Sequence, residues 1–477
     1  MKAIFKAQLI YKNLLMKTVL ISLILVVTNS VMAQPWFTKH PDLGTSFDYI
    51  YDIILASDGG YIFTGTVGNQ NQDYLLTTKL IIGKIDNNGD TLWTKRYGEL
   101  TDRNVGYAIT GTSDGGYVVA GVKANKAAWL LRFKANGDTL WTKEFAVGEF
   151  YDVIITSDGG IAAAGIERSN IGNVQVQFVI TDAEGNTTHE NIYGGIYFDE
   201  MRALIELPGG NFVLGGSTNG QGAGNFDVYV MKFDTAAVAL WDTTYGSTSS
   251  DRAYDMIFDS NGDLVFAGST NRNSDLEHLM LKIDTLGNLI WEKTYSSSVT
   301  NTLYDLLESQ RGGYIGIGSY YDNGSGSGGF GLRPMMLRTD TAGTELWLRE
   351  YNDAGFPESF AFAGLEVDNN DIYILGSGYN ATFIRTDGQG TFTSAKDYPG
   401  EFPITVFPNP SNGNVILQTT PGEYSFNLYN MQGQLLRNWH ETVMGNSTIN
   451  LSNYPAGEYI LNIINVRKSK SVRVIKR

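Results

Sequence analysis

The chain has 477 residues, 55 of them glycine and 27 tyrosine, with a formal charge of −15 and no cysteine. This length leaves room for more than one domain, and a hydrophobic fraction of 42% is enough for a large core. The lack of cysteine excludes disulfides, thiolate metal sites and a cysteine nucleophile, while the acidic balance argues against a nucleic-acid surface, which needs a basic footprint.

Residues Lys12 to Gln34 read as a secretory signal. Lys12 and Lys17 flank its start, Val19–Val27 is a short apolar core, and Val31-Met32-Ala33 is a small-residue cleavage site. Residues 1–33 are therefore expected to be removed, with 1–15 an upstream extension if Met16 is the true start. The apolar run is too short to span a bilayer, and no transmembrane segment is expected in the mature chain.

Between residues 34 and 400 one pattern repeats. Tyr107 to Phe145 holds a small-residue strand, the turn Asp114-Gly115-Gly116, the run Tyr117–Val122, the run Trp129–Phe133, the turn Asn136-Gly137-Asp138 and a last strand around Trp141. Short apolar or alternating runs bounded by Gly, Asn and Asp are strands joined by hairpins, so each unit is a four-stranded meander. The second turn residue recurs at Gly60, Gly116, Gly160, Gly210, Gly262, Gly313 and Asn370. Units of this period bury both faces only by stacking on their neighbours, and the spacing predicts an all-β chain with a seven-bladed β-propeller of four-stranded antiparallel blades.

Trp93, Trp141, Trp241, Trp291 and Trp347 share one place in the outermost strand, where the third unit has His189 and the seventh Ser394. The later turn carries Asp and Gly in most units, but the fourth has Asp234 without the Gly. Trp36-Phe37-Thr38-Lys39 reads as a stray outermost strand ahead of the first unit, placed to close the ring beside or instead of Phe392–Tyr398. The run Lys84 to Trp93 is similar to the docking motif of quinoprotein dehydrogenase propellers, a resemblance that implies a structural lock between adjacent blades.

Two polar patterns recur. Lys or Arg stands two positions before the turn Asp, as at Lys84/Asp86 and Lys282/Asp284, which puts both on one strand face and reads as structural. Tyr51-Asp52, Tyr151-Asp152, Tyr254-Asp255 and Tyr304-Asp305 open the innermost strands of four units. Asp52, Asp152, Asp255 and Asp305 are thus candidate ligand-binding carboxylates in a partial ring near one channel mouth. The alternative is that each accepts hydrogen bonds from a neighbouring blade's backbone. Asp102-Arg103 and Asp251-Arg252 read as loop ion pairs, and the Gly/Ser-rich stretch Asn323–Gly331 as a binding-face loop or a spacer. The four histidines occupy unlike repeat positions, so no metal site, cofactor or catalytic residue is assigned.

After Gly400 the period stops. Residues 401–477 alternate as about seven short strands, predicting a small immunoglobulin-like β-sandwich. The phrases around Phe407-Pro408-Asn409-Pro410 and Gly413, Leu428-Tyr429-Asn430 with Gly433, and Leu451 to Gly457-Glu458-Tyr459, followed by the basic tail Lys468–Arg477, carry a resemblance. Here the chain resembles the type A C-terminal sorting domain of the Bacteroidetes type IX secretion system. That resemblance implies Sec-dependent export, then passage to the outer-membrane surface or the exterior, with the secretion machinery as partner. The passenger is expected to be a monomeric binding module for a protein or glycan. The alternatives are a carbohydrate-active hydrolase or lyase using loop carboxylates, and a structural or adhesion protein.

Overall fold

The computed structural model of the chain describes residues 37–39, 48–70, 76–87, 89–99, 101–124, 126–168, 173–272, 275–295, 301–323, 330–351, 359–367, 371–378, 382–386, 388–390, 405–419, 422–430, 435–465 and 468–477. Every regular element among these residues is a β-strand. The signal segment, His40, Ser394, Phe392–Tyr398 and Gly433 lie outside them. The chain separates into two compact units, Met1–Phe392 and Thr393–Arg477.

In the first unit, Tyr49–Leu55, Tyr61–Gln70, Leu76–Ile85 and Thr91–Tyr97 pair in chain order as one antiparallel sheet. The turn after the first strand uses Gly59 and Gly60 at φ +91° and +76°. A Cβ on Gly60 would meet the Ile85 carbonyl oxygen at 2.3 Å, so this turn tolerates no side chain on two counts. The same four-stranded meander recurs at Asp199–Glu206 to Ala239–Tyr245, Asp251–Phe258 to Leu289–Tyr295, and Asn301–Glu308 to Glu345–Glu350. Tyr314–Asn323 and Phe330–Thr339 form an extended hairpin whose tip, residues 324–329, lies outside the described residues.

The second and third repeats are fused. Thr139–Ile155 is the last strand of one and the first strand of the next, giving a single seven-stranded sheet. This seam reads Phe145-Ala146-Val147-Gly148-Glu149-Phe150, whereas the equivalent connection after Tyr245 is Gly246-Ser247-Thr248-Ser249-Ser250. Without a cluster of turn formers the strand runs on. The seventh repeat takes its fourth strand from the N-terminal side: Phe37 pairs with Ile384, Thr38 with Phe383 and Lys39 with Thr382.

The cores lie between sheets. Ile50, Ile53 and Phe63 of the first repeat pack with Ala363, Val367 and Phe383 of the seventh. Ala203 and Val213 of the fourth pack with Met256, Phe266 and Leu281 of the fifth. Middle strands such as Phe212–Thr218 and Leu264–Thr270 are buried along their whole length, while outermost strands such as Thr187–Tyr193 are mostly exposed. Each fully buried aliphatic or aromatic side chain contributes about 1.5–3 kcal/mol, so the apolar second strands are what hold the array together. These four-stranded sheets, stacked face to face with the first strand of each innermost, are arranged as the blades of a β-propeller.

The second unit has a three-stranded sheet, Thr405–Phe407, Asn414–Gln418 and Asn446–Asn450, and a four-stranded one of Gly422–Asn430, Leu435–Val443, Gly457–Asn465 and Lys468–Lys476. Val415, Leu417 and Ile449 from the first sheet share a core with Phe426, Leu461, Ile463 and Val474 from the second. Asn414–Gln418 and Asn446–Asn450 alternate exposed and buried residues, as strands with one wet face do.

Candidate functional site at the channel mouth

Each innermost strand of the first unit breaks register at the same place. Against the second strand, pairing skips Tyr51, Tyr107, Tyr151, Arg202, Tyr254 and Tyr304, and in the seventh repeat it skips Phe362 and Ala363. A β-bulge of this kind turns the extra side chain out of the sheet. Its cause lies across the ladder, where the second strand carries a glycine. A Cβ on Gly65, Gly121, Gly216 or Gly268 would stand only 1.8–1.9 Å from the carbonyl oxygen of Tyr49, Val105, Glu200 or Arg252.

The bulged side chains meet in a closed circuit. Ring centres are 5.1 Å apart for Tyr51 and Tyr107, 4.9 Å for Tyr107 and Tyr151, 5.4 Å for Tyr254 and Tyr304, 4.9 Å for Tyr304 and Phe362, and 5.0 Å for Phe362 and Tyr51. Arg202 completes it, its guanidinium carbon 3.8 Å from the Tyr151 ring centre and 6.0 Å from that of Tyr254. The bore is thus crossed by six aromatic rings and one cation.

The residue after the bulge is Asp52, Asp152, Asp255 or Asp305. Asp52 accepts from its own strand's Ile53 N–H and from Ile109 N–H of the next repeat, both at 2.7 Å. Asp152 accepts likewise from Val153 at 2.7 Å and Leu204 at 2.6 Å, and Asp305 from Leu306 at 2.8 Å and Gly364 at 2.6 Å. Asp255 accepts from Leu306 N–H at 2.8 Å. The bulge leaves an amide without a ladder partner, and the carboxylate takes it up while bridging to the neighbouring sheet. Ala108, Ala203 and Ala363 stand in the same place in the other three repeats. Burial pushes the Asp52 carboxyl up to about 8, with the charges of Asp305 and Asp152 adding to it, and pushes Asp152 up to about 6. Asp255 is raised well above the usual range by burial, and it is hydrogen-bonded to Asp305, which burial also raises. Among the described residues no three His, Asp or Glu side chains converge as metal ligands.

Two positions before the bulge the strands present a different layer. Glu149 is buried and takes Arg103 at 3.3 Å, Arg168 at 3.1 Å and the Tyr107 hydroxyl at 2.7 Å. Burial alone would raise Glu149, but these partners outweigh it and hold the carboxyl below the usual range. Glu200, also buried, takes Arg202 at 2.9 Å and Arg252 at 3.2 Å. The expected pairs Asp102-Arg103 and Asp251-Arg252 are replaced: the arginines turn to Glu149 and Glu200, and Asp251 pairs with Arg272 at 3.0 Å. Adjacent residues of a strand point to opposite faces, so Asp251 and Arg252 cannot meet. On the seventh and first repeats the same layer is aromatic, with Phe360 stacked on Phe362 at 5.3 Å and Tyr49 on Tyr51 at 6.0 Å.

The strand Lys and Arg residues bond to their own sheet or to the next one, as when Lys232 donates to the Thr285 carbonyl of the following repeat at 2.8 Å. Lys282 pairs with Asp259 at 2.7 Å and Asp263 at 2.9 Å, and Arg132 with Asp114 at 2.8 Å. These contacts tie the third strand to the first turn and leave the channel to the residues above.

In the second unit the recurring phrases are stitched together. Asn409 donates to the Arg473 carbonyl at 2.6 Å and accepts from Ile475 N–H at 2.8 Å, which fastens Phe407-Pro408-Asn409-Pro410 to the last strand. The Gly413 carbonyl accepts from Leu451 N–H at 2.6 Å. Gly457 pairs with Lys476, and the Tyr459 hydroxyl donates to the Pro455 carbonyl at 2.6 Å. Residues 405–477 match the family described as the secretion system C-terminal sorting domain. The second unit is a type IX secretion sorting domain. No curated protein matches the chain in sequence. Among solved structures, PorZ of Porphyromonas gingivalis, an essential surface component of the type IX secretion system, is 13% identical at a TM-score of 0.43, over 87% of this chain and 58% of PorZ. The WD40 β-propeller domain of Doa1 is 11% identical at 0.46, over 72% of this chain and 94% of that domain. The Dos1 propeller is 13% identical at 0.46, over 76% and 96%. A sorting domain directs its passenger through the secretion machinery to the cell surface or the extracellular space.

Proposed function

We propose that the chain is a seven-bladed β-propeller binding module for a protein or glycan, carried out by its sorting domain after Sec-dependent export and removal of residues 1–33. The circuit of bulged side chains supports the blade count, since seven innermost strands each supply one member. The observation that carries the binding reading is the layer in front of that circuit, aromatic on one side and charged on another, gathered from at least five repeats around one mouth. A broad face of this kind suits adhesion to a surface, whereas catalysis needs unlike groups converging on one reacting bond. The four aspartates support it from behind by spending their oxygens on backbone amides.

The test is a binding screen of the purified exported chain against glycan arrays and envelope extracts, with polysaccharide turnover followed in the same samples. A retained, unmodified partner supports the reading. Product formation overturns it and moves the hydrolase or lyase alternative ahead.

A further inference from the structure

At the channel mouth, four guanidiniums, those of Arg103, Arg168, Arg202 and Arg252, share two carboxylates, Glu149 and Glu200. Four positive charges against two negative ones leave an excess of two positive charges in the cluster, on a chain whose formal total is −15. Both carboxylates are buried, while the side chains of Arg168 and Arg252 remain 45% and 29% exposed. Each guanidinium has five N–H donors, and only part of each fork is spent on a glutamate. The cations are also held still: Arg252 lies 3.5 Å from the Phe226 ring centre and Arg202 3.8 Å from that of Tyr151. Fixed, half-used guanidinium forks are suited to bidentate capture of planar or tetrahedral oxyanions.

The opposite side of the same mouth is the two-deep aromatic patch of Tyr49 over Tyr51 and Phe360 over Phe362. An aromatic face with a negative quadrupole accepts the weakly positive C–H face of a sugar ring. We propose that this mouth binds an acidic glycan, with carboxylate or sulfate groups on the arginines and a sugar face on the aromatic patch. The proposal rests on the binding reading above and narrows its ligand to one class. Arg252 is the central contact, because it belongs to the strand layer itself. Arg168 reaches in from the end of the strand Ile161–Glu167.

Calorimetric titration of the full exported chain tests this, using oligogalacturonate and a sulfated glycan as probes, with a neutral dextran oligomer and an aspartate-rich peptide as controls. The expected result is binding of the acidic glycans but not of dextran, weakened by salt and weakened about tenfold or more by Arg252→Gln. Arg168→Gln, at an exposed position, gives a smaller loss and decides the matter if Arg252→Gln fails to fold. Should a neutral glycan or a protein bind while the acidic glycans do not, the acidic-glycan assignment falls and the binding reading stands. Tighter binding of the acidic peptide through the same arginines also removes the glycan assignment. If no probe and no partner from the screen binds, both readings fall.

Discussion

The indole of Trp93 lies against Gly137 of the next repeat, 2.9 Å from where a Cβ on that glycine would stand. Trp141 faces Gly185, Trp291 faces Gly343 and Trp347 faces Gly390 in the same way. A tyrosine completes three of these locks: the Tyr97 hydroxyl donates to the Gly137 carbonyl at 3.0 Å, that of Tyr295 to Gly343 at 2.6 Å and that of Tyr351 to Gly390 at 2.8 Å, whereas Phe145 stands in that place beside Trp141 and the Lys143 ammonium donates to the Gly185 carbonyl instead. The two irregular repeats then explain each other. His189 stands where the third repeat lacks its tryptophan, and the turn it would have covered carries Ala237 at φ +56° in place of glycine. Without an indole to receive, the turn tolerates a side chain, and the Tyr193 hydroxyl still donates to the Ala237 carbonyl at 2.7 Å.

Gly137→Ala is accordingly expected to destabilise the first unit by about 1–3 kcal/mol, because the residue sits at φ +80° and the methyl group meets the indole. Urea unfolding measures it. His189→Trp alone is expected to cost stability and to recover it when combined with Ala237→Gly, with a coupling of about 0.5–3 kcal/mol. Strictly additive effects would disprove the pairing.

Replacing Asp52, Asp152, Asp255 and Asp305 by Asn is expected mainly to lower stability. An amide has a single acceptor oxygen and turns its NH2 toward an N–H that needs an acceptor, at about 1–3 kcal/mol for each amide left unsatisfied. Calorimetric melting measures the loss. An unchanged melt together with abolished ligand binding would return these carboxylates to the binding site.

The same residues set a pH dependence. The folded-state values of Asp52 and Asp152, about 8 and about 6, lie above the ordinary value of 3.8, so the native chain holds protons that the unfolded chain has released. Their contribution is complete below about pH 4 and is lost as pH rises through 6 and then 8. Stability is therefore expected to fall between pH 6 and 8, by up to about 1.4 kcal/mol per pH unit for each fully linked proton. Denaturation midpoints at pH 6, 7 and 8 check this, and Asp52→Asn should flatten the upper part of the slope.

Starting the exported chain after Lys39 removes the fourth strand of the seventh repeat and bares the edge of Thr382–Thr386. The expected outcome is a lower melting temperature and concentration-dependent association, read by light scattering. Removing residues 401–477 is expected to hold the passenger in the periplasm. Cell fractionation checks it, and normal surface display of the shortened chain would refute it.

Much of this architecture is written locally. The Asp-Gly-Gly turns, the Trp positions, the strand Phe37–Lys39 that pairs with Thr382–Thr386 and the phrases of the sorting domain are contiguous patterns, and contiguous patterns survive in a one-dimensional reading. The channel circuit was half visible, as Tyr-Asp pairs, but Tyr107, Arg202 and Phe362 occupy the same place with different neighbours. What unites them is a bulge, and a bulge is imposed by the opposite strand. Its one-dimensional trace is the glycine midway along each second strand, Gly65, Gly121, Gly165, Gly216, Gly268 and Gly318. The partners of Arg103 and Arg252 were illegible for a related reason: Glu149 and Glu200 belong to the following and preceding repeats, so the bonds depend on how sheets stack rather than on spacing along the chain.

The uninterrupted strand Thr139–Ile155 also limits how this molecule can be rebuilt. A ring of repeats is lengthened, shortened or spliced by cutting at the connections between units, and the connection from Tyr245 to Asp251, although Ser249 and Ser250 bond to Asn225 and Asn271, lies outside the strands of both sheets it joins. Between the second and third repeats the connection is itself a rung of both sheets, and an inserted segment would unpair each of them. Those two repeats are one structural piece, to be exchanged or removed together in any rebuilt chain.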